Sequence, residues 1–187
     1  MLYINMANDP HAIPSLASSL ASFLQELKPY VESRGHADDM LVDNACSAVS
    51  KIMISLTNNH GNTGLVQALG RPSCVNIVTS VLPTLLASLP LCSDREEDGP
   101  VYVQCLGNVL QTQPTLPAVV EHLPRIVFVF VKALKECEKE DVKKSILMRL
   151  KYACTQIQGA PNPAALVQGL DQGEVSWLER VLSGQEQ

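Results

Sequence analysis

Apolar positions recur with a helical period along most of the chain. Leu41, Ala45, Ala48, Val49, Ile52, Met53 and Leu56 form one wide stripe, and Asp43, Asn44, Ser47, Ser50 and Lys51 fill the other face. Asp38 or Asp39 stands where such a helix needs an N-cap. Upstream, Ile13, Ala17, Leu20, Leu24, Leu27 and Val31 form a second stripe, whose tail meets Pro29 before a turn at Gly35. The pattern then returns. Val75, Val78, Leu82, Leu85, Leu86 and Leu89 predict a helix, and Tyr102, Cys105, Leu106, Val109 and Leu110 predict its partner, starting near Gly99-Pro100. Val119, Leu123, Ile126, Val127, Phe130 and Leu134 predict one helix over about 116–135, with a partner through Ile146, Leu147, Leu150, Cys154 and Ile157. The segment 126–131 has the Val and Phe content of a strand, but the surrounding register is helical and no second strand offers to pair with it. Two short elements follow, at 163–170 and 171–182. Asp171 and Glu174 have the spacing of a capping box, Val175, Leu178, Val181 and Leu182 give the stripe, and Trp177 is placed to lie over the preceding pair.

These elements pair into hairpins. We divide the chain into an unassigned segment 1–12, a first hairpin 13–57, and a loop or insertion 58–73 with one helical turn at 65–69. A second hairpin 74–112, a third 114–158 and closing helices 161–183 follow. The first helix of each pair carries an apolar-Pro step, at Pro14, Pro83 and Pro124. The last two prolines lie 41 positions apart, near the period of HEAT-type hairpins, while the first gap is lengthened by the Gly- and Asn-rich stretch 58–73. A proline in each first helix would bend it and suit a curved stack. The fold class expected is all-α: a HEAT-repeat α-solenoid of about three antiparallel hairpins plus a C-terminal capping helix.

Composition agrees with a folded domain. The 187 residues are 46% hydrophobic and 18% charged, enough to build a core without staples. A net charge of -5 and only 4% aromatic residues argue against nucleic acid as a partner. The longest strictly apolar run, 126–131, is far short of the roughly 20 residues that cross a bilayer, so no membrane insertion is expected. The first residues lack the basic start and apolar run of a signal peptide. Cys46, Cys74, Cys92, Cys105, Cys137 and Cys154 contain no CxxC pair and read as reduced thiols of a cytosolic or nuclear protein.

Candidate chemistry is sparse. His11, His36, His60 and His122 are scattered without zinc spacing, and no nucleophile elbow, phosphate loop or dinucleotide turn is present. Gly61, Gly64 and Gly70 lack the spacing and the lysine of a phosphate cradle. Cys46 paired with a distant histidine could be a nucleophile, but its place beside an apolar stripe favours packing. No catalytic residue, cofactor or metal is therefore expected, and the chain does not read as an enzyme. Charge is more informative. Asp94, Glu96, Glu97 and Asp98 form an acidic cluster between helices, which as a solvated turn would stabilise a helix start and as a surface would attract basic partners. Glu136, Glu138, Glu140 and Asp141 precede Lys143, Lys144, Arg149 and Lys151, with Glu140 and Lys144 spaced as an i, i+4 pair.

Two stretches resemble the C-terminal HEAT repeats of importin-β (karyopherin-β) nuclear transport receptors, in particular the importin-four and yeast Kap-one-two-three branch. Asp43-Asn44-Ala45-Cys46-Ser47-Ala48-Val49 is similar to the start of a second helix in that family. The segment from Val81-Leu82-Pro83 to Leu89-Pro90-Leu91, followed by Asp94-Arg95-Glu96-Glu97, is similar to a family signature in which Cys92-Ser93 replace a charged pair. The likeness covers about 13–183; residues 1–12 fall outside it, and 58–73 is longer and richer in Gly than the family pattern. The resemblance implies nuclear import of basic cargo such as histones or ribosomal proteins, and a location in cytoplasm and nucleus. It implies contact with Ran and nucleoporins only through the N-terminal repeats of a full-length receptor. It also implies that second helices line the cargo surface, and the candidates are Asp43, Asn44, Ser47, Lys51, Asp94, Glu96, Glu97, Gln104 and Asn108. The basic segment 143–151 would lie on the same side and does not fit a simple acidic groove. The repeats alone are equally compatible with a scaffold subunit of another complex. The C-terminal end has a capping candidate at 171–182, whereas the first helix has none; if the chain is cut from a longer array, that helix is expected to expose an apolar face and associate.

Overall fold

The computed structural model describes residues 13–35, 38–57, 64–157 and 161–184. Segment 1–12, the loop at 58–63 and the histidines at 11, 36 and 60 lie outside the described residues. The two N-terminal stripes become α1 (Ile13–Val31) and α2 (Asp39–Thr57). Asp38 caps α2: its Oδ1 accepts the Met40 N–H at 2.8 Å. A short α3 (Gly64–Leu69) follows, and α4 (Arg71–Ser88) begins three residues before the expected boundary because Pro72 suits a helix's first positions. Leu89 stands before Pro90 and is extended (φ -89°, ψ 153°), which ends α4. The Leu89–Pro90 bond is cis.

A 3₁₀ turn (Arg95–Glu97) leads into a π-wound segment (Gly99–Leu106) that continues as α5 (Gly107–Thr112). The expected partner helix is therefore present, but its first two turns are wider than an α-helix. This segment is buried at Val101, Tyr102, Cys105 and Leu106, and the Tyr102 hydroxyl accepts the Leu91 N–H at 2.7 Å. Gly107 is where Arg149 crosses it; a Cβ there would lie 2.7 Å from Arg149 Nε.

The helix expected over 116–135 is two elements, α6 (Pro117–Glu121) and α7 (Leu123–Glu136), broken at His122. Pro124 cannot supply an N–H to continue α6 and instead opens α7. The three apolar-Pro steps are thus not equivalent. Pro14 occupies the first turn of α1, Pro83 lies inside α4, and Pro124 follows a break. Segment 126–131 is helical, and Ile126, Val127, Val129, Phe130 and Val131 are all buried. Arg125, Lys132 and Lys135 keep one side of α7 polar, and its wide buried face places it among α4, α6, the π-wound segment, α8 (Glu140–Thr155) and α9 (Pro163–Leu166), all of which it touches.

The helices form two rows. α1, α4 and α6–α7 touch in that order; α2, the π-wound segment and α8 touch in that order. α1 pairs with α2 and α7 with α8, while α2 also packs on α4. One apolar cluster runs through both rows, from Leu20 and Val42 through Leu82, Leu106 and Phe130 to Leu178. Among the described residues there is no strand, and no helix is long and apolar enough to cross a membrane. The side chains at 13–18 are outside the description. Of the expected apolar face of α1, Leu20 and Val31 are buried and Leu24 and Leu27 are packed against the core, joined by Phe23.

The closing helix α10 (Gln172–Ser183) carries the expected capping box. Asp171 Oδ1 accepts the Glu174 N–H at 2.8 Å, and Glu174 Oε2 accepts the Asp171 N–H at 2.9 Å. Gly184, in the left-handed region at φ 78°, ends it. Glu174 is itself buried, and its Oε1 accepts Lys132 Nζ at 2.6 Å and Lys135 Nζ at 2.5 Å. Burial pushes the Glu174 carboxyl up, but Lys132, Lys135 and the Asp171 amide outweigh it and hold the group at about 2. An unfolded Glu titrates near 4.3. The pinning of α10 to α7 is therefore complete above about pH 4.3 and is lost as pH falls toward 2. It contributes about 1–2 kcal/mol once the exposure of Lys135 is allowed for. Urea midpoints measured from neutral pH down into this acid range should fall less steeply for Glu174→Gln than for the parent.

Candidate functional site

Asp43, Ser47 and Lys51 are spaced i, i+4, i+8 and share one face of α2. That face meets the loop that follows α4, not bulk water. Asp43 Oδ2 accepts the N–H groups of Cys92, Ser93 and Asp94 at 2.9, 2.6 and 3.0 Å. Its Oδ1 accepts Arg34 Nη2 at 2.5 Å. Four residues on, Ser47 Oγ donates to Glu97 Oε2 at 2.6 Å, and Lys51 Nζ donates to Glu97 Oε1 at 2.7 Å. Burial pushes the Asp43 carboxyl up, but the Ser93 amide, the Arg34 guanidinium and the Asp94 amide carry it below the usual range. Glu97 is lowered in the same way, by Lys51 and Ser47 against burial.

The next joint is also polar. Arg95 reaches Glu136 at the end of α7. Arg125 Nε donates to the Leu86 carbonyl at 2.9 Å, and its Nη2 donates to the Leu89 carbonyl at 2.6 Å. Arg34 Nε reaches the Ser88 carbonyl at 3.0 Å, while Ser88 Oγ donates to the Val31 carbonyl. The carboxyl end of α4 is thus held by one arginine from each neighbouring hairpin, which fills carbonyls a helix end leaves open. Asp98, 1% exposed, lies between Arg95 and Cys137; burial, only partly countered by Arg95, raises it to about 6.

These positions correct part of the sequence reading. Asp43 and Ser47 are buried and serve the joint, so they do not present themselves to a partner. Lys51 and Glu97 are half-buried and pair with each other. Asn44, Glu96 and Gln104 are exposed, and Asp94 and Asn108 are half-buried. Glu140 pairs with Lys143 at 3.7 Å, not with Lys144. The acidic cluster 94–98 is more than a solvated turn, because two of its four carboxylates are engaged in or beneath the joints. Arg34 and Arg125 carried no periodic signal, since each bonds backbone far away in sequence.

The described residues contain no group of three or more His, Cys, Asp or Glu able to hold a metal. No disulfide joins the six cysteines. Burial raises Cys46 and Cys105 to about 12 and Cys154 to about 11, so these sulfurs stay protonated and unreactive. Cys92 is the exposed one. Titration of the native chain with a thiol reagent at neutral pH should label Cys92 first, and Cys46 and Cys105 only on unfolding. Cys92→Ala should remove the fast phase.

Compared with protein-family models, with curated proteins and with solved structures, the chain matches none.

Proposed function

We propose that the chain is the C-terminal part of an importin-β-type nuclear transport receptor. In this reading its hairpins are HEAT repeats that hold basic protein cargo during passage between cytoplasm and nucleus. One observation supports this above the others. The two stretches that resemble the receptor family, 43–49 and 81–97, are the two sides of a single joint, with Asp43 and Ser47 of one bonded to residues 92–94 and 97 of the other. The resemblance thus falls on residues that stack one hairpin on the next, which is what a repeat array must specify.

The cargo contacts then come from what the joints leave free: Asn44, Glu96 and Gln104, with Asp94, Asn108 and the outer edges of Lys51 and Glu97. An acidic array of separate weak contacts suits a large basic partner, and its affinity falls with salt. The test is fluorescence anisotropy with labelled histone and ribosomal proteins. Glu96→Lys, at an exposed position, should weaken binding by about threefold to tenfold. Absence of binding to every basic nuclear protein tried, or an unchanged affinity for the variant, would overturn the proposal.

A further inference from the structure

The far end of the chain carries a different surface. A groove of about 530 Å³ lies between α7, α8 and α10. Its floor is Leu134, Leu147, Trp177 and Val181; its rim carries Lys135, Lys143 and Lys144 with Glu140, and Lys135 is also bonded to Glu174 behind it. The geometry points to a docking site for a short acidic peptide segment of a partner protein, with a large apolar side chain in the groove and Asp or Glu on either side.

Three observations carry this. First, the rim has a net positive charge in a chain whose total is -5, so it is a local reversal of the protein's field. Second, these lysines are available. Lys144 is exposed and has no ion pair among the described residues, and the Lys143–Glu140 contact is 3.7 Å between two exposed side chains, which contributes little. Lys135 remains half-exposed despite its bond to Glu174. Third, apolar surface continues past the rim. Met148, one turn beyond Lys144 on α8, is 65% exposed. A groove of this size admits one or two large side chains, and an apolar floor with charged edges is how amphipathic segments are recognised. Nucleic acid fits less well, because it needs a longer basic track and stacking platforms, and this site offers three lysines and one indole. The site is separate from the joint residues and from the proposed cargo contacts, so it stands or falls independently of them.

The test is selection of displayed random peptides on the full chain, followed by titration of tryptophan-free versions of the winners. Trp177 is the chain's only tryptophan, so its intrinsic emission reports occupancy of this groove and no other place. Enriched peptides should carry acidic residues flanking a Leu, Ile or Phe and shift the Trp177 emission. They should bind about tenfold more weakly to Lys143→Glu/Lys144→Glu, whose exposed positions leave folding intact as checked by thermal melting. Leu147→Ala should also weaken them. The proposal is overturned if the winners lack acidic residues, leave Trp177 emission unchanged or bind the double variant equally. It is also overturned if single-stranded oligonucleotides bind more tightly than any peptide. A dimer abolished by the lysine variant would assign the groove to a second copy and overturn it too.

Discussion

Asp43→Ala is expected to lower the unfolding free energy by about 3–5 kcal/mol, the cost of removing one partner of a buried ion pair. The carboxylate is fully buried, and it serves four donors: three backbone amides of 92–94 and the Arg34 guanidinium. Alanine leaves the three amides without their acceptor and Arg34 with only Asp39 and the Ser88 carbonyl, which is why the loss exceeds that of an ordinary hydrogen bond. In a chain of this length it should lower the melting temperature by roughly 10 °C. Asp43→Asn keeps the size and one acceptor and should cost less. Calorimetry and urea unfolding of the three proteins give the ordering. If Asp43→Ala melted with the parent, the joint would contribute nothing to cohesion.

Arg125→Ala should cost about 2–4 kcal/mol. Its guanidinium bonds the Leu86, Ala87 and Leu89 carbonyls and sits 4.6 Å from the centre of the Phe128 ring. Those carbonyls are the negative end of α4, where a cation is favoured, and the ring adds a cation–π contact. Arg125→Lys should recover less than half of the loss, because a single ammonium cannot reach carbonyls that a planar fork spans. Hydrogen exchange gives an independent reading, since the last turn of α4 and residues 89–92 should lose protection while α8 keeps its own. Because Asp43 and Arg125 hold opposite sides of the same turn, the double variant should be non-additive.

The sequence was a good guide to helices with one wet face and a poor one to what that face meets. α1, α2 and α10 formed where their stripes predicted them, although Leu41 and Leu182 of those stripes are exposed, and the starts of α2 and α10 matched because Asp38, Asp171 and Glu174 act locally. The break at His122 escaped because the buried stripe of Val119, Leu123, Ile126 and Val127 runs across it without a change of register. The π winding at 99–106 has no local signature in the residue pattern. The candidate site suffered most. Asp43, Ser47 and Lys51 read as a solvent face because polarity along a helix cannot tell water from a polar loop 50 residues away. The expectation that Cys46 packs was sound, since its helix position alone placed it against the core.

Each hairpin here ends in half a bond: Asp43 awaits the amides of 92–94, and Arg95 awaits Glu136. A hairpin lifted out whole would carry stranded charges with it. An exchanged segment in such a chain should therefore run from before Arg34 to beyond Glu97, so that Asp43 travels with both its guanidinium and its amides.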